Sequence, residues 1–208
     1  MSRNKMGEPA LQFVETLKIE NGKLQAVSRH QERMERTVRH FFPSLAASVP
    51  LLERIVTGDD CKGVCKARVI YGAHGVEKVE YAPYRMRRIG SLQVVVDDGI
   101  TYDFKSTDRS PLNALLAKRG ECDDIIIIKR GLVRDTSFTN LAVYDGSRWM
   151  TPRHPLLAGT KRAVLVEKGL VDEADLTADD LKKALKVRLF NAMIDFGEIE
   201  VDRSEIRF

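Results

Sequence analysis

A run of polar side chains lies between two apolar segments in the second half of the chain. Asp135 is followed by Thr136, Ser137, Thr139 and Asn140, so a carboxylate, three hydroxyls and an amide lie close together in the sequence. Polar groups beside buried strands must satisfy their hydrogen bonds with one another or with a ligand. The cluster is therefore either a self-contained turn or a set of groups that bind a small molecule.

A second candidate lies at the predicted start of a helix. Gly159, Thr160 and Lys161 follow two leucines and precede the segment RAVLVEK. The first N–H groups of a helix have no intrahelical partner, and together with the helix dipole they favour a bound phosphate. An ordinary helix start contains the same residue types, so both interpretations remain open on these residues alone.

The elements that position these groups are predicted from apolar patterning. Segment 123–129 contains four consecutive isoleucines, and such a β-branched run predicts a strand that is buried on both faces. Segments 139–144 and 148–151 predict a hairpin around Asp145-Gly146, because Asp-Gly readily adopts the positive φ angles of a tight turn. A helix is expected to begin near Lys161.

The first half of the chain predicts a mixture of strands and helices. A strand is expected over 11–19, and Ser28 is expected to cap a helix over 29–42 whose apolar residues share one face. A second helix is predicted over 44–56, and a hairpin over 64–84.

The order of these motifs resembles the class IV aminotransferases. This family of pyridoxal-phosphate enzymes includes branched-chain aminotransferases, D-amino-acid aminotransferases and aminodeoxychorismate lyase. The resemblance rests on a strand followed by the patterns V-x-(E/D)-x-x-x-x-N-L, W-x-T-P and LL-x-G-x-x-R. The matching residues are Val133, Asp135, Asn140, Leu141, Trp149, Thr151, Pro152, Leu156, Leu157, Gly159 and Arg162.

The resemblance extends over about residues 13–199 and implies a fold. That fold is an α/β (α+β) arrangement of two lobes with the cofactor cleft between them. The N-terminal lobe is expected over 1–97, with its last strand at 91–96. The C-terminal lobe is expected over 98–208 and would carry most of the cofactor site.

Two segments of the first lobe match the family and carry candidate ligands. FVETLKIENGKL resembles its opening strand, and SRHQERMER resembles a helix start whose arginine contacts the cofactor phosphate. The resemblance places that arginine at Arg29, and a guanidinium can fork onto phosphate oxygens. By residue type alone, Arg29 would be a solvated helix arginine. Arg68 corresponds to a strand residue that faces the substrate in relatives.

The resemblance assigns covalent attachment of the cofactor to Lys105. The segment KSTDR resembles the family's lysine at the end of a strand followed by x-x-(N/D)-R, and Asp135 lies thirty residues later. A lysine amine can condense with the cofactor aldehyde and then move protons at the substrate carbon. Asp135 takes the place of the usual glutamate that keeps the ring nitrogen protonated. Arg109 is assigned to the substrate.

The phosphate of the cofactor is implied to lie at the helix start and at a loop after a late strand. Relatives often have a Ser-Gly-Thr set in that loop, whereas this chain has Asn-Ala-Met, which leaves backbone donors in place of a hydroxyl. The implied phosphate ligands are Arg29, Gly159, Thr160, Lys161, Asn191, Ala192 and Met193.

Composition excludes several other classes of protein. The 208 residues are 43% hydrophobic and 31% charged, as in an ordinary globular protein, and the net charge is +4. The basic segment 29–39 is interrupted by Glu32 and Glu35 and has no aromatic stacking motif, so no nucleic-acid partner is predicted. No apolar run has membrane-spanning or signal-peptide character, so no membrane association is expected.

The cysteines indicate a reducing, cytoplasmic setting. Three cysteines are an odd number and too few for a disulfide framework. Cys61 and Cys65 have the spacing of half a metal site, but no second pair or nearby histidine completes it. No metal is therefore predicted.

Within the family, the short chain and the K-x-x-D-R segment look most like aminodeoxychorismate lyase. That enzyme converts 4-amino-4-deoxychorismate to 4-aminobenzoate and pyruvate. An aminotransferase acting on a branched-chain, D- or other amino acid is the alternative. A non-catalytic relative that only binds the cofactor is the third possibility, favoured by the short Asp135 and the altered last loop. The resemblance implies a small anionic substrate with an amino group, and a homodimer.

Overall fold

The computed structural model describes residues 11–208, which form two lobes built on three β-sheets. The expected mixed α/β class is confirmed, since strands dominate and the helices are few and short apart from the first. Residues 1–10 of the N-terminal lobe expected over 1–97 lie outside the described residues.

The first lobe is an antiparallel sheet with the strand order β2-β1-β3-β4. Helix α1 (Val27–Phe41) covers one face, where Met34 and Val38 pack against Leu17 in the core of the lobe. Both faces of β1 are buried, which the sequence did not predict, because the second lobe covers the opposite face. The strands are β1 (Phe13–Glu20), β2 (Lys23–Leu24), β3 (Val64–Gly72) and β4 (Gly75–Pro83).

Two helix predictions for this lobe are wrong in detail. Helix α1 begins at Val27 after Ala26, which has a φ of 49°, so Ser28 lies inside the helix and does not cap it. The helix predicted over 44–56 is instead a 3₁₀ segment, Pro43–Ser48, followed by the single turn α2 (Leu52–Ile55). Proline at position 50 interrupts it, because proline lacks an N–H group and disfavours helical backbone in the preceding residue.

The second lobe is organised around β6, as the isoleucine run predicts. Its sheet has the order β13-β5-β6-β7, with β5 parallel and β7 antiparallel to β6. Ile125 and Ile127 pack in one core cluster, whereas Ile126 and Ile128 pack in another, so burial on both faces is confirmed. The strands are β5 (Leu92–Val96), β6 (Asp124–Lys129), β7 (Leu132–Thr136) and β13 (Ile206–Arg207).

The third sheet has the order β10-β9-β8-β11-β12. The hairpin predicted around Asp145-Gly146 is confirmed: Asp145 Oδ1 accepts the N–H groups of Ser147 and Arg148, and Gly146 has a φ of 105°. Its strands are β8 (Asn140–Tyr144), β9 (Trp149–Pro152), β10 (Asp172–Ala174), β11 (Lys186–Asn191) and β12 (Ile194–Asp202). The helices of this lobe are α3 (Ser110–Leu116), α4 (Thr160–Glu167) and α5 (Ala178–Lys183).

The change of sheet comes earlier than the lobe boundary expected at residue 97. Strand β5 pairs with β6 and with β13, so it belongs to a sheet of the second lobe. The first sheet ends at Pro83, which places the change between residues 83 and 92. A strand-length apolar segment does not itself indicate which sheet it joins.

The cysteines also differ from expectation. Cys61 and Cys65 are joined by a disulfide, whereas Cys122 is free and buried. The spacing that could have been half a metal site is therefore a covalent link within the first lobe. Residues 11–208 contain no cluster of metal-ligating side chains, and no helix in this range is long and apolar enough to cross a membrane.

Candidate active site

A cavity of about 200 Å³ lies where the two lobes meet. The first lobe supplies β1 and α1, and the second supplies the segment before α3, the β7–β8 connection, the start of α4 and the β11–β12 turn. The cavity is lined by Thr16, Arg33, Tyr102, Lys105, Arg109, Leu112, Asp135, Thr136, Ser137, Phe138, Thr139, Asn140, Leu156, Leu157, Gly159, Thr160, Asn191, Ala192 and Met193.

Lys105 lines this cavity, although it does not end a strand as the resemblance implies. Residues 100–105 are irregular. They contact the first lobe through a hydrogen bond from Val14 N–H to Lys105 O at 2.9 Å and through the ring of Phe104, which packs against Phe13. Burial lowers the pKa of Lys105 to about 8, and the positive charges of Arg33 and Arg109 act in the same direction. An amine with this pKa is partly neutral near physiological pH and can act as a nucleophile or base.

Asp135 lies at the end of β7 and is 5% exposed. Its Oδ1 accepts a hydrogen bond from Asn140 Nδ2 at 2.8 Å, and its Oδ2 accepts the N–H of Leu157 at 2.9 Å. Burial raises the pKa of Asp135 to about 6, and the two hydrogen bonds oppose this shift. The carboxylate is thus held by the polar cluster and also faces the cavity, which combines the two interpretations that the sequence left open.

The remaining polar residues of the cluster close the β7–β8 connection. Thr136 Oγ1 lies 2.7 Å from Thr139 Oγ1 and accepts the N–H of Thr139 at 3.0 Å. Arg109 donates from Nη2 to the carbonyl oxygen of Ser137 at 2.7 Å, so its guanidinium is fixed against the same connection. These contacts hold Arg109 at the wall of the cavity.

The start of α4 forms another wall. Gly159 precedes the helix, and a Cβ atom at this position would lie 1.9 Å from Asn140 Oδ1, so only glycine fits there. Thr160 is buried and lines the cavity. The side chain of Lys161 is instead directed to Asp195, with which it forms an ion pair, and this placement corrects the expectation that its amine faces a ligand.

Arg29 is not at the cavity either. Its guanidinium lies at the surface and forms ion pairs with Glu32 at 3.0 Å and Glu167 at 2.6 Å. Arg33, one helical turn further on, lines the cavity and forks onto the fully buried Glu15, with hydrogen bonds of 2.9 and 2.7 Å. This placement corrects the expectation that Arg29 faces the ligand.

The sequence contains a signal that identifies Arg33. The buried residues of α1 recur at the i, i+3, i+4, i+7, i+8 spacing of one helical face, and Arg33 belongs to this series whereas Arg29 does not. A charged residue on the buried face requires a partner, and the same applies to Glu15 within the buried strand β1. The buried face consists of His30, Arg33, Met34, Thr37 and Val38.

Two further predicted site positions, Arg68 and the β11–β12 turn, make contacts that the sequence did not predict. Arg68 is half-buried in β3 and pairs with Glu80 at 3.0 Å; it does not line the cavity, although its register partner Thr16 does. The β11–β12 turn does line the cavity, but the N–H of Met193 already donates to Asn191 Oδ1 at 2.8 Å. That N–H is therefore not free for a ligand, contrary to expectation.

The comparison with known families decides the classification. The model of the family described as amino-transferase class IV matches residues 73–200. The chain belongs to the class IV aminotransferase family. Members of this family depend on pyridoxal phosphate, and the chain is accordingly an enzyme of the transaminase and lyase group.

Individual relatives of the class IV chain cover it almost completely. An uncharacterized protein of Haemophilus influenzae is 35% identical over 86% of this chain and 96% of its own length. The crystal structure of a Haemophilus somnus 129PT protein, proposed to be a 4-amino-4-deoxychorismate lyase, is 32% identical with a TM-score of 0.80, covering 90% of this chain and 99% of that chain.

A more distant structure of the class IV fold contains the cofactor. The PLP-bound form of a hypothetical aminotransferase from Mycobacterium tuberculosis is 19% identical with a TM-score of 0.70, covering 98% of this chain and 87% of that chain. At this level of identity the likeness is one of fold. Together these matches confirm the two-lobe class IV fold predicted from the sequence.

Proposed function

We propose that this protein binds pyridoxal phosphate in the interlobe cavity and acts as a 4-amino-4-deoxychorismate lyase, releasing pyruvate and forming 4-aminobenzoate. One observation carries the proposal: a single cavity brings together an amine of lowered pKa, a buried carboxylate, a buried arginine and a helix start. The amine corresponds to the aldehyde of the cofactor and the carboxylate to its ring nitrogen. The arginine and the helix start correspond to its phosphate.

The residues present fit the cofactor as a set. Lys105 supplies the amine for covalent attachment, and Asp135 supplies a negative charge that keeps the ring nitrogen protonated. Arg33, not Arg29, supplies the guanidinium for the phosphate, together with the first residues of α4. When bound, pyridoxal phosphate supplies an electron sink for the substrate carbon that loses a proton.

The same residues account for the proton movements of the proposed reaction. Lys105 Nζ removes the proton from the ring carbon that carries the substrate amino group. Cleavage of the ring carbon–oxygen bond then releases the side chain as the enolate of pyruvate and leaves an aromatic ring, and Lys105 can return the proton to the methylene carbon of that enolate to give pyruvate. The substrate and the two products contain the same atoms, so no further reactant is needed.

The charge of the cavity suits a substrate with carboxylates. Arg33, Lys105 and Arg109 are the cationic residues among those that line it, and Asp135 is the carboxylate. With Arg33 committed to the phosphate and Lys105 to catalysis, Arg109 is the residue for a substrate carboxylate. Its fixed position against Ser137 O favours recognition over general attraction.

The choice of lyase over aminotransferase rests on the Haemophilus somnus relative, which covers nearly the whole chain at 32% identity. The family description and the more distant structures keep an aminotransferase as the second candidate. A substrate panel on the cofactor-loaded protein separates them. Pyruvate and 4-aminobenzoate released without a keto acid support the lyase, whereas amino transfer to a keto acid supports the aminotransferase. Absence of both reactions with every member of the panel would favour a non-catalytic relative.

The homodimer implied by the family stays a prediction, which sedimentation of the loaded protein tests.

Replacing Arg33 with lysine is expected to weaken cofactor affinity by about 1.5–3 kcal/mol, because lysine keeps the charge but loses the fork that fixes the side chain on Glu15 and the remaining guanidinium N–H groups that are left for the phosphate. This corresponds to a roughly 10- to 150-fold increase in Kd. Arg29→Lys is the matched control and should leave Kd nearly unchanged, because Arg29 pairs with Glu32 and Glu167 outside the cavity. Absorbance titrations of both variants measure the effect, and equal losses would show that general basicity is responsible.

Cofactor attachment is expected to accelerate with rising pH and to level off above about pH 8. Only the neutral amine of Lys105 attacks the aldehyde, and its pKa is lowered to about 8. Below that value the rate should rise about tenfold per pH unit. Stopped-flow absorbance after mixing with pyridoxal phosphate measures this profile. Nα-acetyl-lysine, whose free amine has a pKa of about 10.4, is the reference compound. If the rate of attachment in the protein has its pH midpoint at that same value, the assignment to Lys105 is contradicted.

A further inference from the structure

A buried histidine connects the ion pair of the first lobe to the start of α4. His30 is 1% exposed; its Nδ1 lies 2.6 Å from Glu15 Oε2, and its Nε2 lies 3.3 Å from Thr160 Oγ1. Glu15 is also held by both bonds of the Arg33 fork. The chain Arg33–Glu15–His30–Thr160 therefore crosses from one lobe to the other and ends at Thr160, which lines the cavity.

The surroundings of His30 decide which of its nitrogens carries hydrogen. The pKa of Glu15 is lowered to about 2, because the charge and hydrogen bonds of its partners outweigh burial, so Glu15 is a carboxylate that can only accept. His30 Nδ1 must therefore donate to it. In a neutral imidazole the other nitrogen is an acceptor, so Thr160 must donate its hydroxyl hydrogen to Nε2.

A phosphate at the start of α4 competes for the same hydrogen. Its oxygens are acceptors only, and the hydroxyl of Thr160 has a single hydrogen to give. If Thr160 turns that hydrogen to the phosphate, Nε2 is left buried without a partner, which is unfavourable. Protonation of Nε2 removes this conflict, because the imidazolium donates to Thr160 Oγ1 while the hydroxyl donates to the phosphate.

We propose that binding of the cofactor phosphate is coupled to the uptake of one proton by His30, transmitted through the hydroxyl of Thr160. This inference rests on the proposed function and assigns His30 as a positioning residue: it touches neither the cofactor nor the substrate. It also explains why a histidine is buried beside an ion pair that already balances one carboxylate with one arginine.

The charges that face His30 support this coupling. Burial lowers the pKa of His30, Arg33 and Lys105 act in the same direction, and Glu15 opposes them. In the free protein His30 is therefore neutral at neutral pH. A phosphate dianion beside Thr160 adds negative charge and offsets the two cationic neighbours, so the pKa of His30 rises on binding.

The sign of the pH dependence follows from this rise. A group with a higher pKa in the complex takes up a proton on binding, and affinity is then greatest at low pH. Between the pKa of free His30 and that of the complex, Kd rises with pH by at most about tenfold per pH unit. The ligand phosphate loses its own second proton at about pH 6. Measurements above about pH 7 therefore separate the protonation of His30 from the ionisation of the phosphate.

Calorimetry with pyridoxine 5′-phosphate tests the proposal on the apo form of the full chain. This probe has the phosphate and ring but no aldehyde, so condensation with Lys105 does not contribute protons. Titrations at pH 7.5 in buffers of different ionisation enthalpy give the number of protons taken up. The wild type is expected to take up more protons than Thr160→Val, which keeps His30 and Lys105 but removes the hydroxyl, and the difference between the two measures the coupling through Thr160.

Histidine NMR supplies a readout for the residue itself. The chain has 4 histidines, so the ring signals of His30 can be assigned by their loss in His30→Asn. Saturation with the probe should raise the pKa of His30 more in the wild type than in Thr160→Val, where only the charge of the phosphate acts on it. Equal proton uptake in the wild type and Thr160→Val, or an unchanged pKa of His30, would overturn the coupling while leaving cofactor binding intact. Failure of the probe to bind at all would instead overturn both the coupling and the proposed cofactor site.

Discussion

Lys105→Ala is expected to abolish the visible absorbance of enzyme-bound pyridoxal phosphate and to lower turnover by at least about 10²–10⁴-fold. The substitution removes the amine that lines the cavity, and the loss of its proton transfer alone accounts for an effect of that size. The smaller side chain leaves the hydrogen bond from Val14 N–H to the carbonyl of residue 105 in place. The fold should therefore be retained, as circular dichroism can verify.

Lys161→Ala is the matched control for this experiment. Lys161 belongs to the start of α4 but directs its amine to Asp195, so its removal should leave the absorbance band in place. Borohydride reduction followed by peptide mapping identifies the attached lysine directly. A reduced adduct on any lysine other than Lys105, or a band that survives Lys105→Ala, would show that the attachment site is elsewhere.

Asp135→Asn is expected to lower turnover by about 10²–10³-fold, the range seen when one preorganised electrostatic group is removed from an active site. Asparagine has nearly the same shape but no charge, so it cannot hold the ring nitrogen in its protonated form. Attachment of the cofactor depends on Lys105 and the phosphate contacts, so the absorbance band should persist. Turnover and band intensity, measured on the same sample, separate the two effects.

Asp145→Asn is a suitable control, because Asp145 fixes an exposed turn and is not among the residues that line the cavity. Full turnover in Asp135→Asn would indicate that Asp135 serves the β7–β8 connection alone. Asp135→Glu restores the usual family residue, but the carboxylate is already fixed by Leu157 N–H and Asn140. The longer side chain must displace one of these contacts, so Asp135→Glu should also be impaired.

Local sequence signals predicted the framework of the second lobe. The isoleucine run predicted β6, because four consecutive apolar side chains fit a strand that is buried on both faces. Asp145-Gly146 predicted the next hairpin, because these residues readily adopt the backbone angles of a tight turn. The polar neighbours of Asp135 stand out between apolar strands and indicated a possible binding segment, and this segment lines the cavity. The role of Asp135 stays a prediction. Each of these inferences needs only residues that are adjacent in the sequence.

The errors concern contacts between distant segments. Arg29 and Arg33 have the same chemistry, and their roles differ because Glu15 on another element holds one while Glu167 holds the other. Lys161 was assigned to a ligand because Asp195 could not be foreseen as its partner. The disulfide between Cys61 and Cys65 is instead a local contact, four positions apart, and this spacing alone does not distinguish a disulfide from half a metal site.

The ion pairs of Asp195 have a consequence for the order in which the protein folds during its synthesis. Lys18 Nζ lies 2.6 Å from Asp195, a contact between residues 177 positions apart, and His30 meets Thr160 across 130 positions. Such closures carry a large entropic penalty until the intervening chain is ordered, and they slow folding. A nascent chain that has not emerged beyond residue 195 lacks one wall of the cavity. At the proposed site, binding of the cofactor therefore belongs to the end of synthesis, when the two lobes have docked.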